Sequence, residues 1–544
     1  MTIFAERRCD TPSDRAVTML KKMNLEEKLR MMRGSLAGDY VGNIEGNERL
    51  GIPAIAMQDG PQGFRITKKT GEEGTSTAWP SSLNIAATFN SQLAFRWASA
   101  MAAEFVSKGA NMQLAPGLGI ARVPTAGRNF EYLCGEDPVL GSLLAYEVVK
   151  GIQSQGIIAN AKHFINNEIE TNRMEVSATV NEKVRFQLYY PPFQAAIDAG
   201  VLSVMCSYNR INGVSACENE VTMSELRNSL GYKGWVLSDW LATHSTVNSV
   251  RAGLDQELPI GLYLSESALK LALDFSLLQI EDIDRSVLRI LTSMYTAGLF
   301  DEVDVRGDPH ADVTSPEHTA LAREVAAKSI VLLKNDKNLL PLNKSMLKKI
   351  GVFGDETTVS GGGSGHVTPS HGHTVTPAEG ITAALVGYDA FVEYFELPKG
   401  VDKKKALELV SRFAATCDVT IVVVATTSTE GYDRPSLQLG HGQDELVAAV
   451  ASANPHTVVA VNTPGAVLMP WAADVSTILV CWMPGEQAGN ALADILFGTV
   501  NPSARLPVTM PNEDNEIGFT KEQFPGVGRP PVAEYSEGLL VGYR

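Results

Sequence analysis

The stretch GWVLSDW, residues 234–240, decides the fold. Trp235, Val236 and Leu237 run together with no polar residue between them. A strand wetted on one side alternates apolar and polar residues, whereas an unbroken run reads as a strand covered on both faces, as in a parallel sheet. Comparable segments precede it, in AIAMQDG (54–60), NMQLAPGLGI (111–120), GIIANAKHF (156–164) and VLSVMCSYN (201–209), and AGLDQELP (252–259) follows. Helical runs such as SQLAFRWASAMAAEFVSKG and EKVRFQLYYPPFQAAIDAG separate them. This strand–helix alternation predicts an N-terminal (β/α)8-type TIM barrel over residues 1–305.

The pattern breaks at the charged, proline-bearing stretch DEVDVRGDPHADVTSPEH (301–318), so a linker is expected at 306–320. A second α/β region follows at 321–524. The run TALAREVAAKSIVLLKN (319–335) reads as a helix, and KKIGVFGD, VTIVVVATT, HTVVAVNTP and STILVCWMPGE read as strands, together an α/β/α layered sandwich. The tail from Pro525, PGVGRPPVAEYSEGLLVGYR, is expected to wrap an earlier domain or to lead toward a further one.

At 544 residues the chain is long enough for two or three domains, and 44% apolar with 20% charged residues is ordinary for a globular protein. A net charge of −16 argues against nucleic acid as a partner, since a phosphate backbone needs a basic face. No stretch is long and apolar enough to span a bilayer, and the first residues lack the apolar core of a signal peptide, so a cytoplasmic location is expected of the chain as it stands. The six cysteines form no CxxC pair. Cys206 and Cys217 are close enough to bridge in an oxidising compartment, but without a secretory signal free thiols are expected. The single sequon, Asn343-Lys-Ser, is what chance gives at this length.

In a β/α barrel the chemistry gathers where strands end at their carboxyl side. Those ends offer Asp59, Arg122, Arg128, Lys162 with His163, Tyr208, and Asp239 with Trp240, and Arg173 follows shortly after the Lys-His pair. Each has a plain structural alternative. Asp59 opens an Asp-Gly-Pro turn, His163 suits a satisfied core histidine, Arg128 with Glu131 and Arg173 with Glu170 suit ion pairs, and Asp239 suits a helix cap. Taken together they form one concave polar ring with an aromatic wall. A monosaccharide needs that set: cations and a carboxylate for its hydroxyls, and an indole for its C–H face.

The ordered motifs DGP (59–61), GRNFE (127–131), KHF (162–164), NNEIETNR (166–173), MCSYN (205–209) and SDW (238–240) resemble family 3 glycoside hydrolases, a group that includes many β-glucosidases. SIVLLKND, GGGSG, EGYDR, MPGEQAGNALADILFG and NPSARLPVTMP extend the resemblance through the second half. It implies a retaining, exo-acting β-glucosidase. Asp239 would be the nucleophile and Glu430, in TTSTEGYDR, the acid/base supplied by the second domain, with Asp433 and Glu445 as nearby alternatives. Asp59, Arg128, Lys162, His163 and Arg173 would hold sugar hydroxyls. Met205, Tyr208 and Trp240 would line the pocket, and Ser364 of the SGGGSGH loop would reach it.

The same resemblance sets limits. Relatives that use a loop histidine on N-acetylglucosaminides resemble KHFPGHG, and this chain has KHFINNEIETNR instead. The lean is toward glucose over xylose. A β-xylosidase, a glycoside phosphorylase or a sugar-binding protein without turnover remain the alternatives. The expected partner is an oligosaccharide or an aryl or alkyl β-glucoside, and self-association is left open. Many relatives carry a fibronectin-like domain after the position of EGLLVGYR. No cofactor or metal is implied: His366, His371 and His373 cluster without a ligand set of zinc spacing.

Overall fold

A computed structural model describes residues 11–66, 74–301, 307–355, 357–367, 372–395 and 402–544. His371 and the boundary residues 302–306 lie outside the described residues. Five strands, Ile55–Asp59, Met112–Leu114, Ile158–Phe164, Ser203–Cys206 and Trp235–Ser238, lie side by side in parallel and in chain order. The last three are buried along their whole length, the polar Asn160, Lys162 and His163 of the Ile158–Phe164 strand included.

The sheet then curls until it closes. Leu237 bridges to Gln256, Glu257 to Arg33, and Ser35 to Asn43 of the Gly42–Ile44 strand, which pairs with Ile55–Asp59. The N–H groups of Gly34 and Ser35 donate to the carbonyls of Glu257 and Asn43, each at 2.8 Å. Closure leaves the ring no open edge and brings the strand ends to one mouth. The Gly42–Ile44 strand runs antiparallel to its neighbour, a departure from an all-parallel ring. Helices Ser91–Ser107, Pro138–Gln153 and Ile280–Thr296 bury one face each against it.

The second region is a six-stranded sheet in the order Val331–Asn335, Thr477–Trp482, Thr457–Asn462, Val419–Ala425, Lys349–Gly354, Phe391–Tyr394. All of its pairings are parallel except the first. Here the sequence reading needs two corrections. The helix expected over 319–335 runs from Pro316 to Ser329, starting inside the stretch expected as linker. Ser315 caps it, and Pro316 occupies the first turn, where its missing N–H costs nothing. Ile330 turns extended, and Val331–Asn335 pairs antiparallel with Thr477–Trp482. Only Val331 of the strand is β-branched, so it is the ladder to Thr477–Trp482, a tertiary contact, that overrides the helical preference of Leu332, Leu333 and Lys334. The Phe391–Tyr394 strand is an edge with mostly exposed side chains, so it carries no apolar run to announce it.

The tail folds back onto the barrel. Pro531–Glu534 pairs in parallel with Ser177–Thr179, a strand outside the ring. Free thiols at Cys206 and Cys217 are also corrected: the two form a disulfide, with Cα atoms 5.2 Å apart. The short antiparallel pair Arg210–Ile211 and Val214–Ser215 reverses the chain between them, which returns Cys217 to the end of the Ser203–Cys206 strand. Cys134, Cys417 and Cys481 are free and buried. No helix among the described residues is long and apolar enough to cross a membrane.

Candidate active site

The barrel mouth holds a cavity of about 240 Å³, below the ~300–1,000 Å³ common for drug-sized ligands and on the scale of one sugar ring. Of the expected site residues its wall contains Asp59, Arg128, Lys162, His163, Met205, Tyr208, Asp239, Trp240, Ser364 and Glu430, and lacks Arg173 and the strand-end candidate Arg122. Val41 and Arg65 complete it, and the sequence reading missed both. Arg65 lies six residues past Asp59 and reaches back to it at 3.0 Å. Only the turn between them creates that contact, so spacing alone gave no signal.

Asp239 sits one residue past its strand. Its backbone N–H donates to the Cys206 carbonyl at 3.1 Å, and its Oδ1 accepts the Trp240 N–H at 2.7 Å. The cap alternative fails, because the accepted N–H is the adjacent one and no helix starts there. Oδ2 has no hydrogen-bond partner among the described residues, and His163 Nε2 stands 3.5 Å away. Burial pushes the Asp239 carboxyl up to about 6, against the pull of Arg128 and the Tyr208 hydroxyl. His163 is held neutral by burial and by the charges of Arg128, Lys162 and Arg173. Trp240 packs on the backbone at Gly42, where a Cβ would meet its ring at 3.1 Å.

A buried ion network forms the opposite wall. Arg128 forks onto Glu131 at 2.7 and 2.6 Å, and Lys162 lies 3.3 Å from Glu131 and 3.4 Å from Asp59. The structural reading of Arg128 with Glu131 is therefore right without displacing the functional one: the pair fixes the guanidinium in the cavity wall. Burial raises the Asp59 carboxyl, with Lys162 and Arg65 opposing. The pair Arg173–Glu170 is not a surface pair. Glu170 is buried, and Arg173 stacks 4.4 Å over Tyr208 while donating to Glu430 at 2.9 Å. Arg173 thus acts from behind the wall.

Glu430 comes from the sandwich, on the loop after Val419–Ala425. Arg128 stands 3.4 Å from its Oε1, and the Ser364 N–H donates to Oε2 at 3.0 Å. The Arg128 charge holds the Glu430 carboxyl well below the usual range; burial opposes this, and Arg173 and Lys162 reinforce it. The glycine-rich loop has a local reason for its composition. A Cβ on Gly363 would lie 2.3 Å from that of Glu430, and one on Gly361 would enter the Phe130 ring at 2.2 Å. The Ser364 hydroxyl bridges Arg128 and Glu131.

The remaining candidates point elsewhere. Glu445 pairs with Lys403 on the surface. The Asp433 carboxylate is filled by donors from the barrel. Arg122 is not in the cavity wall. It is ion-paired with Glu537 at 2.5 Å and stacked 3.7 Å over Tyr535, so it fastens the tail.

Comparison with known proteins adds a lineage to this geometry. The Glycosyl hydrolase family 3 N terminal domain matches residues 19–293, and the family's C-terminal domain matches residues 330–543. The chain is 34% identical to "Probable beta-glucosidase L" of Aspergillus terreus, over 98% of this chain and 76% of that one. It is likewise 34% identical to "Thermostable beta-glucosidase B" of Acetivibrio thermocellus, over 97% and 69%. Among solved structures, β-glucosidase 3B of Thermotoga neapolitana in complex with α-D-glucose superposes with a TM-score of 0.87 at 30% identity, covering 97% of this chain and 80% of that one. DesR, a β-glucosidase from Streptomyces venezuelae in complex with D-glucose, superposes at 0.89 with 28% identity, covering 97% and 82%.

Proposed function

The chain belongs to glycosyl hydrolase family 3 and is a glycoside hydrolase of the retaining type, and from that premise we propose that it removes single glucosyl residues from the non-reducing ends of β-D-glucosides, with Asp239 as nucleophile and Glu430 as acid/base. The observation that carries this reading is one cavity, of single-sugar size, whose wall joins Asp59 and Asp239 of the barrel to Glu430 of the second domain.

Retention needs two carboxyl groups about 5–5.5 Å apart across the anomeric carbon. Asp239, in the cavity wall, attacks that carbon through a carboxylate oxygen and forms the covalent glucosyl-enzyme. With its carboxyl at about 6, it is ionised at neutral pH. Asp59, Arg128, Lys162 and His163 grip the ring hydroxyls, and Trp240 covers the apolar face. Glu430 protonates the departing oxygen and then takes a proton from water.

A general acid must carry a proton, and the Arg128 and Arg173 charges hold Glu430 ionised. A bound glucoside acts on that charge state in two ways. Its hydroxyls compete for the guanidinium of Arg128, and its bulk removes water from around the carboxyl, which favours the neutral form. Glu430 therefore protonates in the complex rather than before it.

The test is release of nitrophenol from 4-nitrophenyl β-D-glucoside, beside the β-xyloside and the N-acetyl-β-glucosaminide. The glucoside should be cleaved fastest, with β-glucose as the first product in the proton NMR spectrum. Faster turnover of the xyloside, or turnover that requires phosphate, would replace the glucosidase reading with one of its alternatives.

A further inference from the structure

Asp433 stands three residues after Glu430, yet among the described residues its carboxylate accepts hydrogen bonds only from the barrel. Oδ1 accepts the backbone N–H groups of Gly127 at 3.1 Å and Glu170 at 2.9 Å, and Oδ2 accepts the N–H of Thr171 at 2.9 Å and its hydroxyl at 2.7 Å. All four donors belong to barrel loops. The grip is reciprocal, since the Glu170 carboxylate accepts the Gly431 N–H of the sandwich at 2.7 Å. Further bonds flank it: the Ser428 hydroxyl donates to the Gly127 carbonyl at 2.7 Å, and the Arg434 N–H donates to the Thr125 carbonyl at 2.8 Å. At Gly127 the two backbones approach so closely that a Cβ would lie 2.0 Å from the Tyr432 carbonyl oxygen.

This clasp addresses a problem peculiar to a site split between domains. Asp239 is fixed by the barrel, and Glu430 is carried by a loop of the other domain. Contacts within the sandwich cannot set the separation of the two; only contacts across the interface can. A displacement of about 1 Å between catalytic groups can cost ~100-fold in rate.

We propose that Asp433 is a positioning residue that registers Glu430 against the barrel by capping the backbone of the loops at Gly127 and at Glu170–Thr171. The proposal rests on the reading of Glu430 as acid/base. With four donors already on its oxygens, Asp433 has no part in proton transfer itself; it acts through Glu430.

The experiment compares two substrates on three proteins. Hydrolysis of 2,4-dinitrophenyl β-D-glucoside hardly needs an acid, because its leaving group departs as a stable anion, whereas octyl β-D-glucoside releases an alkoxide and needs one. Glu430→Gln sets the reference and should lose roughly 10²–10⁴-fold in kcat/KM for octyl glucoside and far less for the dinitrophenyl substrate. Asp433→Asn, which puts an amide N–H against N–H donors, should show the same bias at about 100-fold. If Glu430→Gln shows no bias, the acid/base reading falls. If it shows the bias and Asp433→Asn slows both substrates equally, or neither, the clasp is only structural and the proposal falls. Should Asp433→Asn fail to fold, Thr171→Val, which deletes a single hydroxyl donor, must show a smaller bias of the same sense, and Thr171→Ser must restore it.

Discussion

Asp239 and Glu430 are both carboxylates on one cavity, but they are held by opposite means. Asp239 lies at the end of a strand buried along its whole length, and burial raises its carboxyl to about 6. Glu430 lies on a loop of the other domain, and arginine charges hold its carboxyl down. A strand end supplies rigidity and desolvation without further partners. A loop supplies less rigidity, and although Glu430 is also buried, nearby cations outweigh that burial in setting its charge state and the interface sets its place. The strand-borne group should therefore be insensitive to contacts between the domains, and the loop-borne group should depend on them.

The largest test of that contrast is Asp239→Asn, which should lower turnover of 4-nitrophenyl β-D-glucoside by roughly 10⁴-fold or more while glucose binding by calorimetry persists. Unchanged turnover would remove Asp239 from the nucleophile's role. In the parent protein, kcat/KM should fall as pH drops through about 6, because a protonated Asp239 cannot attack. A pH profile flat down to 4.5 would contradict the burial argument.

Next is Arg122→Ala, which separates a strand-end charge that serves the fold from those that serve the site. It strands Glu537 in a buried setting and should cost about 3–5 kcal/mol in denaturant unfolding. KM for the glucoside should not move, since Arg122 is not in the cavity wall.

Smaller, and opposite in sign, is the effect of Asp239→Asn on stability. A carboxyl raised in the folded state is destabilising above that value and neutral below the unfolded one. The variant should thus be more stable than the parent above pH 6, by up to ~3 kcal/mol, and the gap should close as pH falls toward 4. A parent more stable than the variant at pH 7 would show that desolvation does not dominate at Asp239. Smallest is reduction of the Cys206–Cys217 bridge. It closes a loop with a sequence separation of 11, so reduction should cost about 2–3 kcal/mol and should lower the thermal midpoint without altering the pH profile.

Much of this was legible in the chain itself. Unbroken apolar runs announce strands covered on both faces, and the polar residue that ends each run falls at the mouth by the geometry of the fold. Asp59, Lys162, His163, Tyr208 and Asp239 were readable for that reason. Residues that meet only across the interface were harder to read. Glu430 became legible through its motif and not through any local pattern, Arg65 through none, and Asp433 read as a possible acid although its oxygens were already committed to barrel N–H groups. Arg122 at a strand end looked like a site residue until the tail was seen to fold over it.

The sequence by itself determined the two sheets, their order along the chain and the chemistry available at the barrel mouth, because periodicity and strand-end position are local properties of a chain. Tertiary structure alone decided how the ring closes through Arg33 and Glu257, why 331–335 is a strand, that Cys206 meets Cys217, and which sandwich carboxylate faces Asp239. Each of these is a pairing between segments far apart in the chain or separated by a turn, and its energy exists only once both partners are in place.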